Sequence, residues 1–542
     1  MRARAVARIA AVATLAAAGL GYSGCSGKEP VDSADSSDTD TDTDSDSDSD
    51  SDTAPGCVDG FQASAADLAL PSGFDATLYP AEALQTPSGS RTCASGSGTY
   101  VWSHPDLDGN GALDLSLHFD DCGTDSSLGA THWSAALAGD SGMADLTAWT
   151  LPTVFDSDHF PDNALNASSG TRTCPDGTSF VWAMSDLTGD GKPDLVLPYD
   201  TCGTTTGVGT GVWEVYANTG AGFAETATAW TLPAVFATSV YPSSALNSMS
   251  GTRTFGSCSY VWSVTDMDGD DRPDLVLPFD SCTGSGTVGT TSWTVHLNTG
   301  SGFSGTPEAF ALPSYGSNYP ASPFNNTSGT RTCVDTTQSF SWTLSDLDGD
   351  NRPDLVVPFD TCGTETDIGG AEWRVHMNTG AGFGSAVAFT LPAGYGASPY
   401  PDDAFYALSG TRSCSDGGSF VWASSDNNGD GRADLVMPYN TCGASLEPGS
   451  RFWRVHLGDG IGFSDEEAQW TLPPAYTSGE YPAAPINLTS GTRTCDNGGY
   501  YAWELGDQDG DAVQDLLVTA DTCAGDAGLG STKWLVYPGG CF

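Results

Sequence analysis

The stretch Trp342-Thr-Leu-Ser-Asp346-Leu-Asp348-Gly-Asp350-Asn-Arg352-Pro-Asp354-Leu-Val-Val-Pro358 joins two short apolar segments through a nine-residue loop rich in carboxylates. It is one of six copies. Acidic loops begin at Asp106, Asp186, Asp266, Asp346, Asp426 and Asp507, and successive loops lie 80 or 81 residues apart. A Trp precedes each loop (Trp102, Trp182, Trp262, Trp342, Trp422, Trp503) and another follows it (Trp133, Trp213, Trp293, Trp373, Trp453, Trp534). The phrase Ser-Gly-Thr-Arg-Thr, or a variant, places an Arg at 91, 172, 253, 331, 412 and 493. A fixed period of this length is the signature of a repeat architecture.

Each unit reads as four short strands, in the second copy Ser179–Ser185, Asp194–Pro198, Trp213–Tyr216 and Ala227–Leu232. They are β-branched and aromatic, and Gly/Asp/Asn turns separate them. No stretch holds a 3.6-residue period, so helix is expected to be scarce. Four-stranded units arranged radially leave only short edges exposed, which is the logic of a β-propeller. The ends favour a closed ring over a linear solenoid. The sixth unit stops after Trp534-Leu-Val-Tyr537, and its missing Leu-Pro strand stands at the N-terminus as Ala66-Asp-Leu-Ala-Leu-Pro71. An all-β, six-bladed propeller is expected over residues 57–542, its last blade completed by the N-terminal strand.

The fifteen Cys fit this ring. Cys93 and Cys122, Cys174 and Cys202, Cys258 and Cys282, Cys333 and Cys362, Cys414 and Cys442, and Cys495 and Cys523 recur within the units. One of each pair precedes a strand and the other ends the strand running back, so both lie at one end of the hairpin within bonding reach. Cys57 and Cys541 flank the segments that close the ring, and a bond between them would lock it. Zinc competes poorly, because no Cys-x-x-Cys pair or nearby His accompanies these thiols.

The loops carry the chemistry. Oxygens at positions 1, 3, 5 and 9, with the carbonyl at 7, can wrap a hard cation. The third, fourth and sixth copies offer four carboxylates: Asp266, Asp268, Asp270 and Asp274; Asp346, Asp348, Asp350 and Asp354; Asp507, Asp509, Asp511 and Asp515. The others substitute one neutral oxygen: Asn110 beside Asp106, Asp108 and Asp114; Thr188 beside Asp186, Asp190 and Asp194; Asn428 beside Asp426, Asp430 and Asp434. These three are expected to bind more weakly. All-oxygen ligands favour Ca²⁺, up to six ions, over zinc, copper or the water-retaining Mg²⁺. An EF-hand is excluded, since position 12 is Leu117, Leu197 or Leu277 where that loop needs Glu, and strands flank the loop.

Strand, acidic loop, then an Asp-Leu-Val-Leu strand resembles the FG-GAP/VCBS repeats of integrin α-subunit propellers and many bacterial surface proteins. The Asn-Thr-Gly-Ala-Gly-Phe phrase at Asn218–Phe223 and Asn378–Phe383 extends the resemblance over nearly all of residues 57–542. The chain departs in its longer units, in having six blades where integrins have seven, and in its added disulfides. The resemblance implies structural calcium on the underside of the ring, with ligands taken by the opposite face. The disulfides and the Arg-bearing connectors would stand on that presenting face.

Arg2, Arg4 and Arg8 precede an apolar run from Ile9 to Leu20 and the ending Gly-Tyr-Ser-Gly-Cys25. Residues 1–24 read as a signal peptide. The ending resembles a bacterial lipobox, making Cys25 the lipidation candidate, although Tyr22 stands where that pattern has Leu. Residues 25–56 then form a spacer in which alternating Asp-Thr and Asp-Ser pairs offer nothing to bury. A cell-surface or outer-membrane lipoprotein is expected, or else a secreted protein, touching the membrane by its lipid alone.

With 18 Lys/Arg against 69 Asp/Glu the chain lacks the clustered cations that nucleic acid requires. No Gly-x-Ser-x-Gly, His-Glu-x-x-His or phosphate loop is present. His296, His376 and His456 occupy a repeated position shared with Tyr216 and Tyr537, which suits packing better than catalysis. The expected function is a surface binding or adhesion module, not an enzyme, whose partner is a protein or glycan. The alternatives are a lectin-like propeller using Arg91, Arg172, Arg253, Arg331, Arg412 and Arg493 as a ligand face, or a hydrolase or lyase on this scaffold.

Overall fold

The computed structural model describes residues 60–540, apart from 75–76, 124, 126, 140–141, 204, 285, 364–366, 445–447, 478 and 525–527. The expected signal peptide (1–24), the lipidation candidate Cys25, the acidic stretch to residue 56 and the expected Cys57–Cys541 bond lie outside these residues. The described chain is a six-bladed β-propeller: six five-stranded antiparallel sheets in sequence order, with a two-stranded ribbon, Ala138–Gly139 against Gly142–Met143, beside the first. Helix among the described residues is limited to five short 3₁₀ turns.

Each blade has five strands where the sequence suggests four. The second blade comprises Gly170–Thr173, Ser179–Ser185, Asp194–Asp200, Val212–Tyr216 and Thr228–Thr231. The added member is the Ser-Gly-Thr-Arg phrase, expected to be a connector. It pairs edge-on with the strand that follows, Arg172 opposite Phe180 and Gly170 opposite Trp182. It carries no apolar side chain and is half exposed, so no apolar alternation marks it; backbone hydrogen bonds make it a strand. The glycine opens the space that the Trp fills: a Cβ on Gly170 would lie 2.6 Å from the Trp182 ring.

The cores lie between blades. One cluster joins Trp133 and Trp149 of the first blade to Phe180, Trp182 and Leu195 of the second. Equivalent clusters fill every other seam, including Trp534 and Leu517 of the last blade against Tyr100, Trp102 and Leu115 of the first. Six seams for six blades mean that the ring closes. Both Trp families also fasten the connectors. The indole of Trp213 donates to the Leu246 carbonyl at 2.8 Å, and that of Trp182 to Ala167 at 2.9 Å. The last blade does the same to the N-terminal connector, with Trp534 donating to Leu84 at 2.8 Å.

Closure follows the expected offset and goes further. Ala66–Ala69 pairs with Lys533–Tyr537, Leu68 opposite Trp534. Upstream, Phe61 enters the seam between the fifth and sixth blades, 5.5 Å from the Trp453 ring and 5.3 Å from Trp470. Phe223, Phe303, Phe383 and Phe463 fill the corresponding site elsewhere. The chain is thus spliced in mid-phrase, Gly60-Phe61 supplying the Gly-Phe that the C-terminus lacks. The Gly540 amide donates to the Gly60 carbonyl at 2.7 Å, and Phe61 to Thr471 at 2.9 Å.

All six blade disulfides form as expected, with Cα–Cα separations from 4.9 to 6.0 Å. They lie at the ends of the hairpins remote from the acidic loops. Six such bonds indicate folding in an oxidising compartment, hence an exported or extracellular protein.

Candidate metal centres

Each acidic loop connects the second and third strands of its blade, and its carboxylates first organise the backbone. In the fourth blade Asp346, at position 1, accepts the amides of Gly349 at 2.8 Å and Asn351 at 2.9 Å. Position 9 is the anchor. Asp354 is fully buried; one oxygen accepts the Leu347 amide at 3.2 Å and the other the Asn378 amide at 2.8 Å, beyond the fourth strand. Asp114, Asp194, Asp274, Asp434 and Asp515 repeat this with Ala138, Asn218, Asn298, Gly458 and Gly539. The repeated spacing in sequence therefore places one buried carboxylate under each loop.

In four loops three acids converge, with candidate ligand oxygens within 4.8 Å of one another: Asp106, Asp108 and Asp114; Asp266, Asp268 and Asp274; Asp346, Asp348 and Asp354; Asp507, Asp509 and Asp511. The loops at Asp186 and Asp426, with Thr188 and Asn428 at position 3, form no such triplet among the described residues. The neutral substitutions are therefore unequal. Asn110 sits at position 5, accepts the Ala112 amide and donates to Ala138, and leaves the first loop's three acids together. Two of the three loops with a neutral oxygen thus differ from the rest. A further group, Cys414, Asp416 and Cys442, is no metal candidate, because its sulfurs are joined in a disulfide.

The electrostatics fit a cation. Burial pushes the position-9 carboxyls up, Asp114, Asp354, Asp434 and Asp515 to about 7 and Asp274 to about 8, with neighbouring loop carboxylates adding to the effect. Hydrogen bonds from the backbone oppose this and do not cancel it. Asp268 Oδ1 and Asp348 Oδ1 are buried without a hydrogen-bond partner. A buried acceptor in that state costs about 1–3 kcal/mol unless something fills its lone pairs. Position 5 has a protein partner: Asp270 pairs with Arg272, and Asp350 with Arg352.

The loops also touch one another around the ring, which the linear sequence does not reveal. A Cβ on Gly189 would lie 2.3 Å from the Arg272 side chain of the next loop, and one on Gly349 would lie 3.0 Å from the Gly431 carbonyl. Gly510 approaches Asn110 of the first loop in the same way. These glycines have φ of +74°, +78° and +82°, so glycine is required both for the turn and for this approach. Side chains bridge three of the junctions. Asn218 donates to the Leu107 carbonyl at 2.8 Å, Asn298 to Leu187 at 2.9 Å and Asn378 to Met267 at 2.9 Å.

The six Arg do not project as free ligand contacts. Arg172 donates to the Asp162 carbonyl at 3.0 Å and also to Asn163; Arg91, Arg253 and Arg493 bind the matching carbonyl pairs of their connectors. Arg331 bonds Ser322, and Arg412 both the carbonyl and the carboxylate of Asp403. A residue type that recurs because it fastens a connector looks, in sequence, the same as one that recurs to bind. His296, His376 and His456 are packed as expected, each Nδ1 at 2.7–2.9 Å from a carbonyl of its own hairpin. Burial holds all three below the usual histidine range.

Glu504 is a site that repeat reading passes over because it breaks the repeat. Ser103, Ala183, Ser263, Thr343 and Ala423 fill its position in the other blades. Burial pushes its carboxyl from 4.5 to about 7, and the group faces a cleft between the last and first blades beside Ser88 and Thr492. A raised folded-state pKa means that the native state holds a proton the unfolded chain has lost. Stability contributed by this group is full below about 4.5 and falls as pH rises to about 7. Glu504→Gln should therefore raise stability at pH 8 by roughly 1–2 kcal/mol, discounted for the open cleft, and change little at pH 4.5. Urea titrations at the two pH values check it; equal effects at both would refute the assignment.

No family model matches the chain, and no curated protein matches it. Similar solved structures include a Photorhabdus luminescens Tc holotoxin pore, at 12% identity and TM-score 0.42 over 80% of this chain and 14% of that one. An Agrocybe aegerita lectin recognising non-reducing terminal N-acetylglucosamine has 14% identity and TM-score 0.37 over 80% and 85%. An ulvan lyase of polysaccharide lyase family PL25 has 10% identity and TM-score 0.22 over 90% and 96%. The present chain thus spans about a seventh of the toxin chain. None of these likenesses is close enough to transfer a site.

Proposed function

We propose that this protein is an exported, surface-tethered propeller of the FG-GAP/VCBS type, stiffened by up to six structural Ca²⁺, that serves as a binding or adhesion module. The observation that carries the reading is the convergence of three carboxylates, one of them buried, in each of four loops of the ring, with one oxygen of Asp268 and one of Asp348 shielded and without a hydrogen-bond partner. Asp106, Asp108 and Asp114, and the matching sets at Asp266, Asp346 and Asp507, would hold the tighter ions. The sets containing Thr188 and Asn428 would hold the weaker ones. Bound calcium would offset part of the negative charge of the loops and join positions 1, 3, 5 and 9, tying each hairpin to its neighbours. The opposite face, with its disulfide-fastened hairpins and connectors, is left to present a rigid surface. The six Arg each donate to carbonyls of their own connector, which gives them a fastening role there.

Native mass spectrometry of the propeller in a calcium-containing volatile buffer tests the metal directly. Six bound ions are expected at saturation, with four filling first. A chain that retains none, at calcium concentrations up to the millimolar range, would overturn the reading. Ring closure has its own test. Under denaturing, non-reducing conditions, alkylation should label none of the fourteen Cys from Cys57 to Cys541, and full reduction should expose all of them. Two labelled thiols mapping to Cys57 and Cys541 would reject the closing bond.

A further inference from the structure

The six connectors on the disulfide face follow one pattern with one exception. From the Leu of the Leu-Pro pair to the apolar residue before the next blade, five connectors have fifteen residues: 70–84, 151–165, 232–246, 391–405 and 472–486. The connector from the third to the fourth blade, 312–324, has thirteen, and one residue is missing on each side of its first aromatic, Tyr315. The aromatics at that position elsewhere, Phe74, Phe155, Phe236, Tyr395 and Tyr476, are all buried. Tyr315 is partly exposed. The shortened chain makes no 3₁₀ turn there, whereas its neighbours do at Ala234–Ala237 and Ala393–Tyr395. In place of the missing backbone lies a cavity of about 350 Å³.

The walls have a definite chemistry. Tyr315 and Tyr319, with ring centroids 4.6 Å apart, make an aromatic corner, and Pro320 extends the apolar side. Thr290, Ser314 and Ser317 supply hydroxyls. The nearby charges are paired off. Arg374 lies over the Tyr315 ring and bonds Asp360 at 2.6 Å; Tyr319 donates to the same carboxylate. His376, 3.1 Å from the Tyr315 hydroxyl, is held neutral by burial. A formally charged ligand would find no opposite charge to meet. A ligand with one apolar ring face and several hydroxyls would stack on the tyrosines and exchange hydrogen bonds with the Ser/Thr rim.

We propose that this cavity is a single glycan-binding site, taking one neutral sugar residue of a surface glycan. It rests on the binding-module reading above and gives that reading a ligand class and one address among six similar seams. The propeller therefore binds glycans monovalently per chain through this site, despite its sixfold repeat. The cavity volume falls within the ~300–1,000 Å³ range of small-molecule sites.

The internal repeats provide the control. Replacing Pro313–Tyr319 by the nine residues of Pro233–Tyr241 restores the full-length connector that the second and third blades already tolerate, and closes the cavity. Ser317→Trp, at an exposed position, blocks it without touching the core. Wild type and both variants are compared in calcium on a printed array of neutral and sialylated glycans. Titration of the neutral glycan giving the strongest signal follows. Binding of neutral glycans by wild type, with at least a tenfold loss in both variants and unchanged melting, is the expected result. Equal binding by all three places glycan recognition elsewhere and overturns the site while leaving the module reading intact. No glycan bound by any of the three overturns the proposal, whereas the module reading stands or falls on the calcium stoichiometry and on non-glycan partners.

Discussion

Chelation of divalent cations is expected to lower the melting temperature of the propeller by on the order of 15 °C. An ion present at a hundred times its Kd stabilises a native state by about 2.7 kcal/mol per site. Six sites together give roughly 15 kcal/mol. Unfolding entropy near 2 cal/mol/K per residue converts this, for a ring of this size, to about 1 °C per kcal/mol. The loops explain why the loss should be large. Without a cation, the buried position-9 carboxylates are opposed only by amides, and Asp268 and Asp348 each keep an unpartnered oxygen. Asp268→Asn separates metal binding from folding, because its effect should change sign. In chelator it relieves repulsion from Asp266 and Asp270 and should be neutral or stabilising. In calcium it removes a ligand and should lower the melting temperature relative to wild type. Calorimetry in both buffers checks this. A melt unaffected by chelator, together with a metal-free protein, would refute calcium stiffening.

Removal of residues 57–71 should abolish cooperative folding, although it deletes a small fraction of the ring. Those residues supply Leu68 against Trp534 and Phe61 against Trp453 and Trp470. Without them two of the six seams lose part of their cores, and buried indoles meet solvent along an unpaired strand edge. Phe61→Ala alone should cost about 3–5 kcal/mol, the usual range for a buried Phe. Deleting residues 1–56 should leave the melt unchanged. Size-exclusion chromatography with thermal melts distinguishes the three chains. A 57–71 deletion that melts like wild type would mean that the ring does not depend on its closing segment.

The Leu-Pro strand was legible at the N-terminus because it matched five internal copies. The Gly60-Phe61 clip was equally present, as a dipeptide matching Gly222-Phe223 and Gly302-Phe303, but two residues are too short to stand out beside a whole strand. The Ser-Gly-Thr-Arg strand escaped for a different reason. Its pairing is made by backbone groups, whose hydrogen bonds leave no trace in side-chain pattern.

Sequence by itself determined the repeat, the ring, the six disulfide pairs and the set of acids in each loop. All of these are periodic and local, and periodicity is what a linear text preserves. Tertiary structure decided which repeated residues are spent inside the fold. The six Arg fasten connector carbonyls, and the loops lie side by side around the ring. Among the loops with a neutral oxygen, the structure separates the first, which keeps three converging carboxylates, from the second and fifth. It also gave meaning to the departures from the period. A two-residue deletion beside Tyr315 and a lone carboxylate at Glu504 are small irregularities in the sequence. Only when the blades close against one another does the first become a cavity and the second a desolvated carboxyl at a seam between blades.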